Sequence, residues 1–224
     1  MAAGVGLAQA LLLIFLVPPV PNYRDIHNRT IETYEAHAKA WDEQRSKVLF
    51  EKNWLDRFIA YLPTGGEVLD IGCGAGVPIA QYLLRQGFNL TGVDASPTMI
   101  SLSSSRFPEG KWIVMDMRSL SLPQSFDGIV GWDSFFHLDP DEQRTTLSSF
   151  CQNLNPGGTL LLTIGDKAGE VLGRVDGKQV YHSSLDPTEY KEILISVGFS
   201  KVTIVCCDKN CGERSVLLAS GFSG

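Results

Sequence analysis

The chain has 224 residues, of which 44% are hydrophobic, so it can bury one sizeable core without a second domain. Its formal net charge of -6 offers no general attraction for phosphate backbones or anionic lipid, which argues against nucleic acid as a partner. The five cysteines are an odd number, which argues against a disulfide framework and favours a reducing cytoplasm. Cys206, Cys207 and Cys211 cluster without a nearby histidine, so we predict no metal site.

The chain begins with an apolar segment, which we predict to be a loosely attached extension over residues 1–22 ahead of a single domain at 23–224. Residues 5–17 are nearly all apolar, and prolines at 18, 19 and 21 follow. The alternative is a signal sequence or a membrane anchor. Against it, no Lys or Arg precedes the run, no clear cleavage site follows, and the run is shorter than the roughly 20 residues that span a bilayer.

The first half of the domain alternates between helix and strand patterns. Residues 23–62 carry apolar side chains at three- and four-residue spacing, which predicts two helices packed on the core. Helix-length segments then separate runs rich in β-branched residues, so we predict a largely parallel sheet. The predicted strands are Val68–Ile71, Leu90–Val93, Trp112–Met115, Gly128–Val130 and Thr159–Leu162.

The last third of the chain has a different pattern. The Gly- and charge-rich stretch at 165–182 predicts a small hairpin or lid. Asp186 is placed to cap a following helix that ends near Gly198. The closing runs at 201–207 and 215–219 flank a turn-forming segment, which predicts an antiparallel pair at the edge of the sheet.

The first predicted strand runs into a glycine-rich turn, where open parallel sheets bind ligands. Asp70 ends this strand, and Gly72, Gly74 and Gly76 alternate with residues such as Cys73. Three glycines let the backbone pass close to a ligand. We therefore predict a cofactor-binding turn; a tight turn without a ligand is the alternative.

The turn does not fit a dinucleotide. The Gly-x-Gly-x-x-Gly pattern fails from Gly72, where Val77 takes the last place, and from Gly74, where Ile79 does. The carboxylate of Asp70 also lies where a pyrophosphate would need positive or neutral surroundings. A ligand with a cationic group fits better.

Acidic residues also follow the next two strands. The spacing of Asp94 from the turn suits a ribose diol, although Asp94 could instead cap the helix that follows. Asp116 offers an acceptor to an adenine amine, and Met99 or Met117 could contact the purine face or fill the core. Together these residues predict a nucleoside with a cationic tail. S-adenosylmethionine matches, since it carries a sulfonium and an ammonium but no phosphate.

These motifs resemble those of the class I S-adenosylmethionine-dependent methyltransferases. The resemblance extends from Tyr34 to about residue 219, and it implies a Rossmann-like α/β fold: a doubly wound, mostly parallel seven-stranded sheet with a C-terminal antiparallel hairpin and helices on both faces. It also implies that Asp94 holds the ribose hydroxyls, while Asp70 and the glycine turn surround the methionine portion. Tyr34 and Trp41 resemble residues of the aromatic helix that covers the cofactor in this family, although a buried helix face explains them equally well.

The segment after the fourth strand, at 131–138, is where methyl group and acceptor should meet. We assign Trp132 to the cofactor, and Asp133 and His137 to catalysis, with His137 as candidate base. A histidine that packs with one nitrogen on the backbone is the alternative, His182 is the second choice of base, and positioning alone could also suffice. Acidic residues at 139–142 are interpreted as a helix start, not as metal ligands.

The predicted function is methyl transfer from S-adenosylmethionine to the oxygen or nitrogen of a small-molecule acceptor. The partner is that acceptor, and we predict a cytoplasmic protein that contacts no membrane unless the N-terminal segment anchors it. A rival from another class is a catalytically inactive binding scaffold of the same fold. A nicotinamide oxidoreductase is the third reading, which the failed fingerprint and Asp70 oppose.

Overall fold

The structure is a computed structural model, in which residues 22–224 are described. The apolar extension predicted at 1–22, with its alternative of a signal or an anchor, lies outside the described residues apart from Asn22. Among the helices between Asn22 and the C-terminus, none is both long enough and apolar enough to cross a bilayer.

Seven helices and nine strands make up the described fold. Their order along the chain is α1 (Tyr23–Asn28), α2 (Thr30–Gln44), α3 (Lys52–Ile59), β1 (Glu67–Ile71), α4 (Ile79–Arg85), β2 (Asn89–Asp94), α5 (Pro97–Arg106), β3 (Lys111–Val114), β4 (Phe126–Gly131), α6 (Pro140–Gln152), β5 (Leu154–Ile164), β6 (Gly169–Val175), β7 (Lys178–Ser184), α7 (Pro187–Ser196), β8 (Phe199–Asp208) and β9 (Arg214–Phe222).

Seven of the strands form one sheet in the order β3-β2-β1-β4-β5-β9-β8. The first five are parallel, and β9 pairs antiparallel with both β5 and β8. Asp70 lies opposite Gly92 of β2 and Val130 of β4 in the register, so the carboxyl ends of these three strands meet at one edge. The prediction of a mostly parallel, seven-stranded sheet with a C-terminal antiparallel hairpin is confirmed.

Helices cover both faces of the sheet because successive strand residues point to opposite sides. Val68 packs in a cluster that contains Phe58 of α3 and Leu83 of α4. Its neighbour Leu69 packs in the cluster that contains Phe150 of α6 and Leu194 of α7. Both residues are fully buried, which explains why β1 reads as a continuous apolar run interrupted only by Asp70.

Three helices replace the two predicted before β1. The chain leaves helical geometry at Arg29, and at Arg45 it turns extended with ψ 133°. The break at Arg29 lets α1 fold over the hairpin, where the rings of Tyr23 and His27 lie 6.3 and 4.8 Å from that of Tyr181. The periodicity of the sequence does not show this break because apolar spacing continues through it.

The stretch predicted as a hairpin or lid forms a separate two-stranded sheet, β6–β7. Its inner residues Val180 and Tyr181 are about 99% buried. At its tip, Asp176 accepts hydrogen bonds from α2: its carboxylate is 2.9 Å from Nδ1 of His37 and 3.5 Å from Nε2 of Gln44. The hairpin is thus tied to α2, which roofs the pocket described next.

Candidate active site

One pocket lies over the carboxyl ends of β1, β2, β3 and β4 and is covered by α1 and α2. Open α/β sheets bind their ligands at this edge, where the strand order reverses direction. Of the predicted site residues, only Gly76 does not line it. The lining includes Tyr34, Trp41, Asp70, Gly72, Cys73, Gly74, Asp94, Met99, Asp116, Met117, Trp132, Asp133 and His137.

The glycine turn is shaped by three left-handed backbone conformations. Gly72, Gly74 and Gly76 have φ of 69°, 53° and 79°, which residues with a Cβ rarely adopt. A Cβ at Gly72 would lie 2.3 Å from Cβ of Ser134, whereas one at Gly74 would meet no atom within 4 Å. The absence of a side chain at Gly72 therefore makes room for Ser134, whereas at Gly74 it leaves the backbone open to the pocket. A Cβ at Gly76 would meet the ring of Phe107 at 3.0 Å, so this glycine also makes room for a neighbouring side chain.

Asp70 is a buried carboxylate with no partner. It is only 3% exposed, and none of the residues from 22 to 224 donates a hydrogen bond to it. Burial raises its pKa to about 7; the guanidinium of Arg45 works in the opposite direction, and Asp94 adds to the rise. Such a group gains most from a cation placed in the pocket.

Asp94 faces the pocket and does not cap α5, because Ser96 is the N-cap of that helix. Its Oδ2 accepts the N–H of Gly74 and its Oδ1 accepts that of Ser96, both at 2.9 Å. Burial raises its pKa, against the effect of these two hydrogen bonds. Behind it, Glu35 of α2 accepts hydrogen bonds from Ser96 and from Thr98. One carboxylate thus joins the glycine turn to the start of α5, and its remaining lone pairs are available to a diol.

Asp116 is hydrogen-bonded by Arg118, a residue that the sequence motifs did not indicate. Nε of Arg118 lies 2.9 Å from its Oδ2 and 3.0 Å from its Oδ1. Burial opposes ionisation, but the hydrogen bonds from Arg118 hold the pKa of Asp116 below its usual range. Arg118 also contacts Glu142 at 3.1 Å. The predicted contact of Asp116 with an adenine amine would share this carboxylate with Arg118.

The acidic segment at 139–142 caps α6, as interpreted from the sequence. Oδ1 of Asp139 accepts the N–H of Glu142 at 2.8 Å, and the side chain of Glu142 accepts the N–H of Asp139 at 2.9 Å. This is a capping box. Nε2 of His27 lies 2.9 Å from the carboxylate of Glu142, so α1 is attached to the same helix end.

Asp133 is hydrogen-bonded by one arginine and lies near a second, and both are distant from it in the sequence. Arg214 of β9 binds it through two parallel hydrogen bonds of 2.8 and 2.7 Å, and Arg45 lies 3.6 Å away. The backbone of Asp133 is left-handed, with φ 52°, and its N–H donates to Oγ1 of Thr163 at 2.7 Å. The carboxylate predicted to act in catalysis therefore stands in an ion pair at the pocket wall.

His137 is bonded at both ring nitrogens. Nδ1 lies 2.9 Å from the carbonyl oxygen of Tyr181, and Nε2 lies 2.9 Å from the hydroxyl of Tyr34. A carbonyl can only accept, so Nδ1 carries the hydrogen and Nε2 accepts from Tyr34. Burial, and then the neighbouring His182, lower the pKa of His137 to about 3. The alternative for His137, a buried ring with one nitrogen bonded to the backbone, is therefore present. Its other nitrogen is bonded to the side chain of Tyr34.

The aromatic residues assigned to the cofactor lie where α2 meets the sheet. The rings of Tyr34 and Trp41 make an edge contact at 5.7 Å, and the guanidinium of Arg45 lies 5.9 Å from the ring of Trp41. Trp132 is 3% exposed, and its ring nitrogen has no hydrogen-bond partner among the described residues. The predicted site residues did not include Arg45. It follows Tyr34 and Trp41 at helical spacing, and this spacing could have identified it.

The strand order, the glycine turn and the acids at three strand ends define the Rossmann-like architecture of class I methyltransferases. A family model described as a methyltransferase domain matches residues 68–158. The resemblance inferred from the sequence is thus confirmed over this part of the chain.

Individual relatives agree with this resemblance. The chain is 30% identical over 140 residues to the putative methyltransferase YqeM of Bacillus subtilis (strain 168), covering 58% of this chain and 55% of that protein. It is 30% identical over 122 residues to the O-methyltransferase rstn1 of Aspergillus nomiae, covering 49% and 53%. The chain thus spans about half the length of these curated relatives.

Among solved structures, the fold is similar to that of the 1,6-didemethyltoxoflavin-N1-methyltransferase of Burkholderia thailandensis. The TM-score is 0.65 at 20% identity, covering 92% of this chain and 93% of the other. That structure contains 1,6-didemethyltoxoflavin and S-adenosylhomocysteine. At this identity the likeness concerns the fold.

Proposed function

We propose that this chain binds S-adenosylmethionine in the pocket and transfers its methyl group to the nitrogen or oxygen of a small-molecule acceptor. The observation that carries the proposal is the pair Asp70 and Asp94. Both carboxylates face the pocket beside the glycine turn, and neither forms an ion pair with any residue between 22 and 224. A ligand that brings positive charge and hydroxyl groups, but no phosphate, would match them.

The residues fit each part of this ligand. Asp70 would receive the ammonium, Asp94 the ribose hydroxyls, and the open backbone of Gly74 the chain between them. Arg45 lines the same pocket, and no acceptor in the described chain lies within hydrogen-bond distance of its guanidinium. It would bind the carboxylate of the methionine portion. When bound, S-adenosylmethionine would supply an electrophilic methyl group on a positively charged sulfur.

Relatives of both chemistries support a small acceptor without choosing the atom. The neighbour from Burkholderia thailandensis is an N1-methyltransferase with 1,6-didemethyltoxoflavin bound, and the relative from Aspergillus nomiae is named an O-methyltransferase. In this chain, α1, α2 and the segment after β4 would enclose the acceptor. The contribution of the protein would be to hold two reactants in line, which can supply much of the rate enhancement.

Calorimetric titration with S-adenosylmethionine, S-adenosylhomocysteine and NAD tests the cofactor, and incubation with labelled S-adenosylmethionine and candidate acceptors tests turnover. We expect saturable binding of the first two ligands and none of NAD. Saturable binding without turnover on any acceptor would favour the scaffold alternative. A chain that binds neither S-adenosylmethionine nor S-adenosylhomocysteine would contradict the proposal.

The pH dependence of cofactor binding should report Asp70. Its pKa of about 7 means that the free protein keeps this carboxyl protonated in weakly acidic solution. A bound ammonium favours the ionised form, so binding must release the proton. We expect affinity for S-adenosylmethionine to rise with pH, by at most about tenfold per unit, and to level off above about pH 7.

Calorimetry in buffers of different ionisation enthalpy would count the released proton. Asp70→Asn, which has no proton to release, should bind more weakly and with little dependence on pH. An affinity of the wild-type protein that stays constant across this range would remove Asp70 from contact with the ammonium.

The role of Arg45 can be separated from that of the nucleoside site. Arg45→Gln should weaken binding of S-adenosylmethionine about tenfold, because one charge-assisted hydrogen bond to a carboxylate is lost. It should leave binding of 5′-methylthioadenosine unchanged, since that nucleoside lacks the amino-acid tail. The matched control is Arg57→Gln, because Arg57 packs over the ring of Trp54 and does not line the pocket. An equal loss of affinity for S-adenosylmethionine and 5′-methylthioadenosine would show that Arg45 does not bind the carboxylate of the methionine portion.

A further inference from the structure

A hydrogen-bond chain of fixed direction crosses the acceptor side of the pocket. It starts at the carbonyl oxygen of Tyr181 in β7, which accepts the hydrogen on Nδ1 of His137. Nε2 of the same ring must then accept the hydroxyl hydrogen of Tyr34 in α2. The hydroxyl of Tyr34 therefore donates its only hydrogen to His137. Toward a ligand it can act only as an acceptor, through the lone pairs of its oxygen.

Each remaining ionisable group around this chain is engaged by another residue, closed to solvent or placed at the glycine turn. Asp133 is bound by Arg214 through two hydrogen bonds, and Asp116 by Arg118. Nε2 of His27 lies on Glu142, and its Nδ1, which has no hydrogen-bond partner among the described residues, is closed to solvent. His182 packs its ring 4.8 Å from that of His137 and over Gly173, where a Cβ would lie 2.3 Å from the ring, and it does not line the pocket. Asp70 and Asp94 stand at the glycine turn, on the cofactor side.

We infer that the acceptor is an uncharged nitrogen compound whose N–H donates to Oη of Tyr34, and that His137 is a positioning residue that orients Tyr34. This inference rests on the proposed function and names its acceptor class. With its hydrogen held by Tyr34, the nitrogen would keep its lone pair directed toward the methyl group. Tyr34 is the catalytic residue here, because it touches the acceptor.

The fate of the proton during methyl transfer favours a nitrogen acceptor over a hydroxyl. The nitrogen lone pair forms the new C–N bond, and the electron pair of the broken C–S bond returns to sulfur, which becomes neutral. The proton of the amine stays on the methylated, positively charged nitrogen and leaves to water after release. No protein group has to accept it during transfer.

A hydroxyl acceptor would need a base in the pocket during transfer. Passing its proton through Tyr34 would leave a charged imidazole on His137, whose pKa is held to about 3 by burial and by His182. Burial also raises the pKa of Tyr34, so a tyrosinate is disfavoured. Since general-base assistance contributes 100-fold or more, we expect matched amines to be methylated at least about 100 times faster than alcohols.

Nitrogen-15 NMR of the full chain with labelled histidine tests the hydrogen-bond chain without any substrate. We expect His137, identified by its loss in His137→Gln, to be neutral with its hydrogen on Nδ1 and not to titrate between about pH 5 and 9. Tyr34→Phe should shift the Nε2 resonance, whereas Tyr61→Phe, which changes a surface tyrosine, should not. A hydrogen on Nε2, or titration near the ordinary pKa of histidine, would overturn the inference.

The acceptor class is tested with the matched probes aniline and phenol, using S-adenosylmethionine with a deuterated methyl group. Label on nitrogen supports the inference, and preferential label on oxygen overturns it. If no probe is labelled, a hydrogen on Nδ1 of His137 in the NMR spectrum supports the inference, and a hydrogen on Nε2 overturns it. Failure of S-adenosylmethionine to bind would instead contradict the proposed function, so the two failures are distinguishable.

The positioning role has its own signature. On a labelled amine, Tyr34→Phe should lower kcat about 10- to 100-fold and leave the Kd for S-adenosylmethionine within about twofold, because the phenyl ring keeps the edge contact with Trp41. His137→Gln should give a smaller loss of kcat of the same kind. A loss of cofactor affinity equal to the loss of kcat would place Tyr34 on the cofactor alone.

Discussion

Replacing Gly72 with alanine is expected to destabilise the protein by about 2 to 5 kcal/mol. The left-handed backbone at this position costs a residue with a Cβ about 1–2 kcal/mol. The new Cβ would also lie 2.3 Å from Cβ of Ser134, and overpacking of this kind costs about 1–3 kcal/mol. Ser134 cannot easily move, because its hydroxyl donates to the carbonyl oxygen of Ile71 at 2.7 Å. Thermal unfolding should show a Tm lowered by about 10 °C.

Gly74→Ala is the matched control for this prediction. Gly74 is also left-handed, with φ 53°, but its Cβ would meet no atom within 4 Å. The cost should be the backbone strain alone, about 1–2 kcal/mol, although the new methyl group would reach into the pocket and weaken cofactor binding. Equal losses of Tm in the two variants would show that strain, and not contact with Ser134, limits Gly72.

Asp94→Ala is expected to weaken binding of S-adenosylmethionine by about 100-fold or more. The variant removes the acceptor for the ribose hydroxyls and the two hydrogen bonds that hold the N–H groups of Gly74 and Ser96. Hydrogen bonds to a charged group contribute about 1.5–3 kcal/mol each, so losing those made to the ligand is enough for this effect. Calorimetry with S-adenosylmethionine measures it directly.

Asp127→Ala controls for the loss of a structural carboxylate. Asp127 accepts the N–H of Glu67 at 2.9 Å and the side-chain amide of Asn155 at 2.8 Å, at the opposite end of the sheet from the pocket. It should lower Tm and leave cofactor affinity unchanged. If both variants lost affinity in proportion to their loss of stability, Asp94 would be a structural residue and not a ligand of the ribose.

The sheet, the glycine turn and several helix starts could be predicted from the sequence, because each depends on neighbouring residues. Runs of β-branched residues correspond to strands, and the glycines at 72, 74 and 76 all adopt positive φ. Asp186 caps α7 by accepting the N–H of Thr188 at 2.8 Å, as predicted from its position before Pro187. Local conformational preferences of this kind are kept in the folded protein where the tertiary contacts favour the same conformation.

Which site residues meet, and which of their atoms carry protons, depends on how distant elements pack together. Tyr34 and His137 are 103 positions apart, and Asp133 and Arg214 are 81 apart. No local pattern reports such pairs, since the side chains come together only when α2 and β9 pack around the end of β4. The sequence identified His137 as a candidate base from its position alone. Its two hydrogen-bond partners and its burial, which set its protonation, come from the packing of the hairpin and α2 around it.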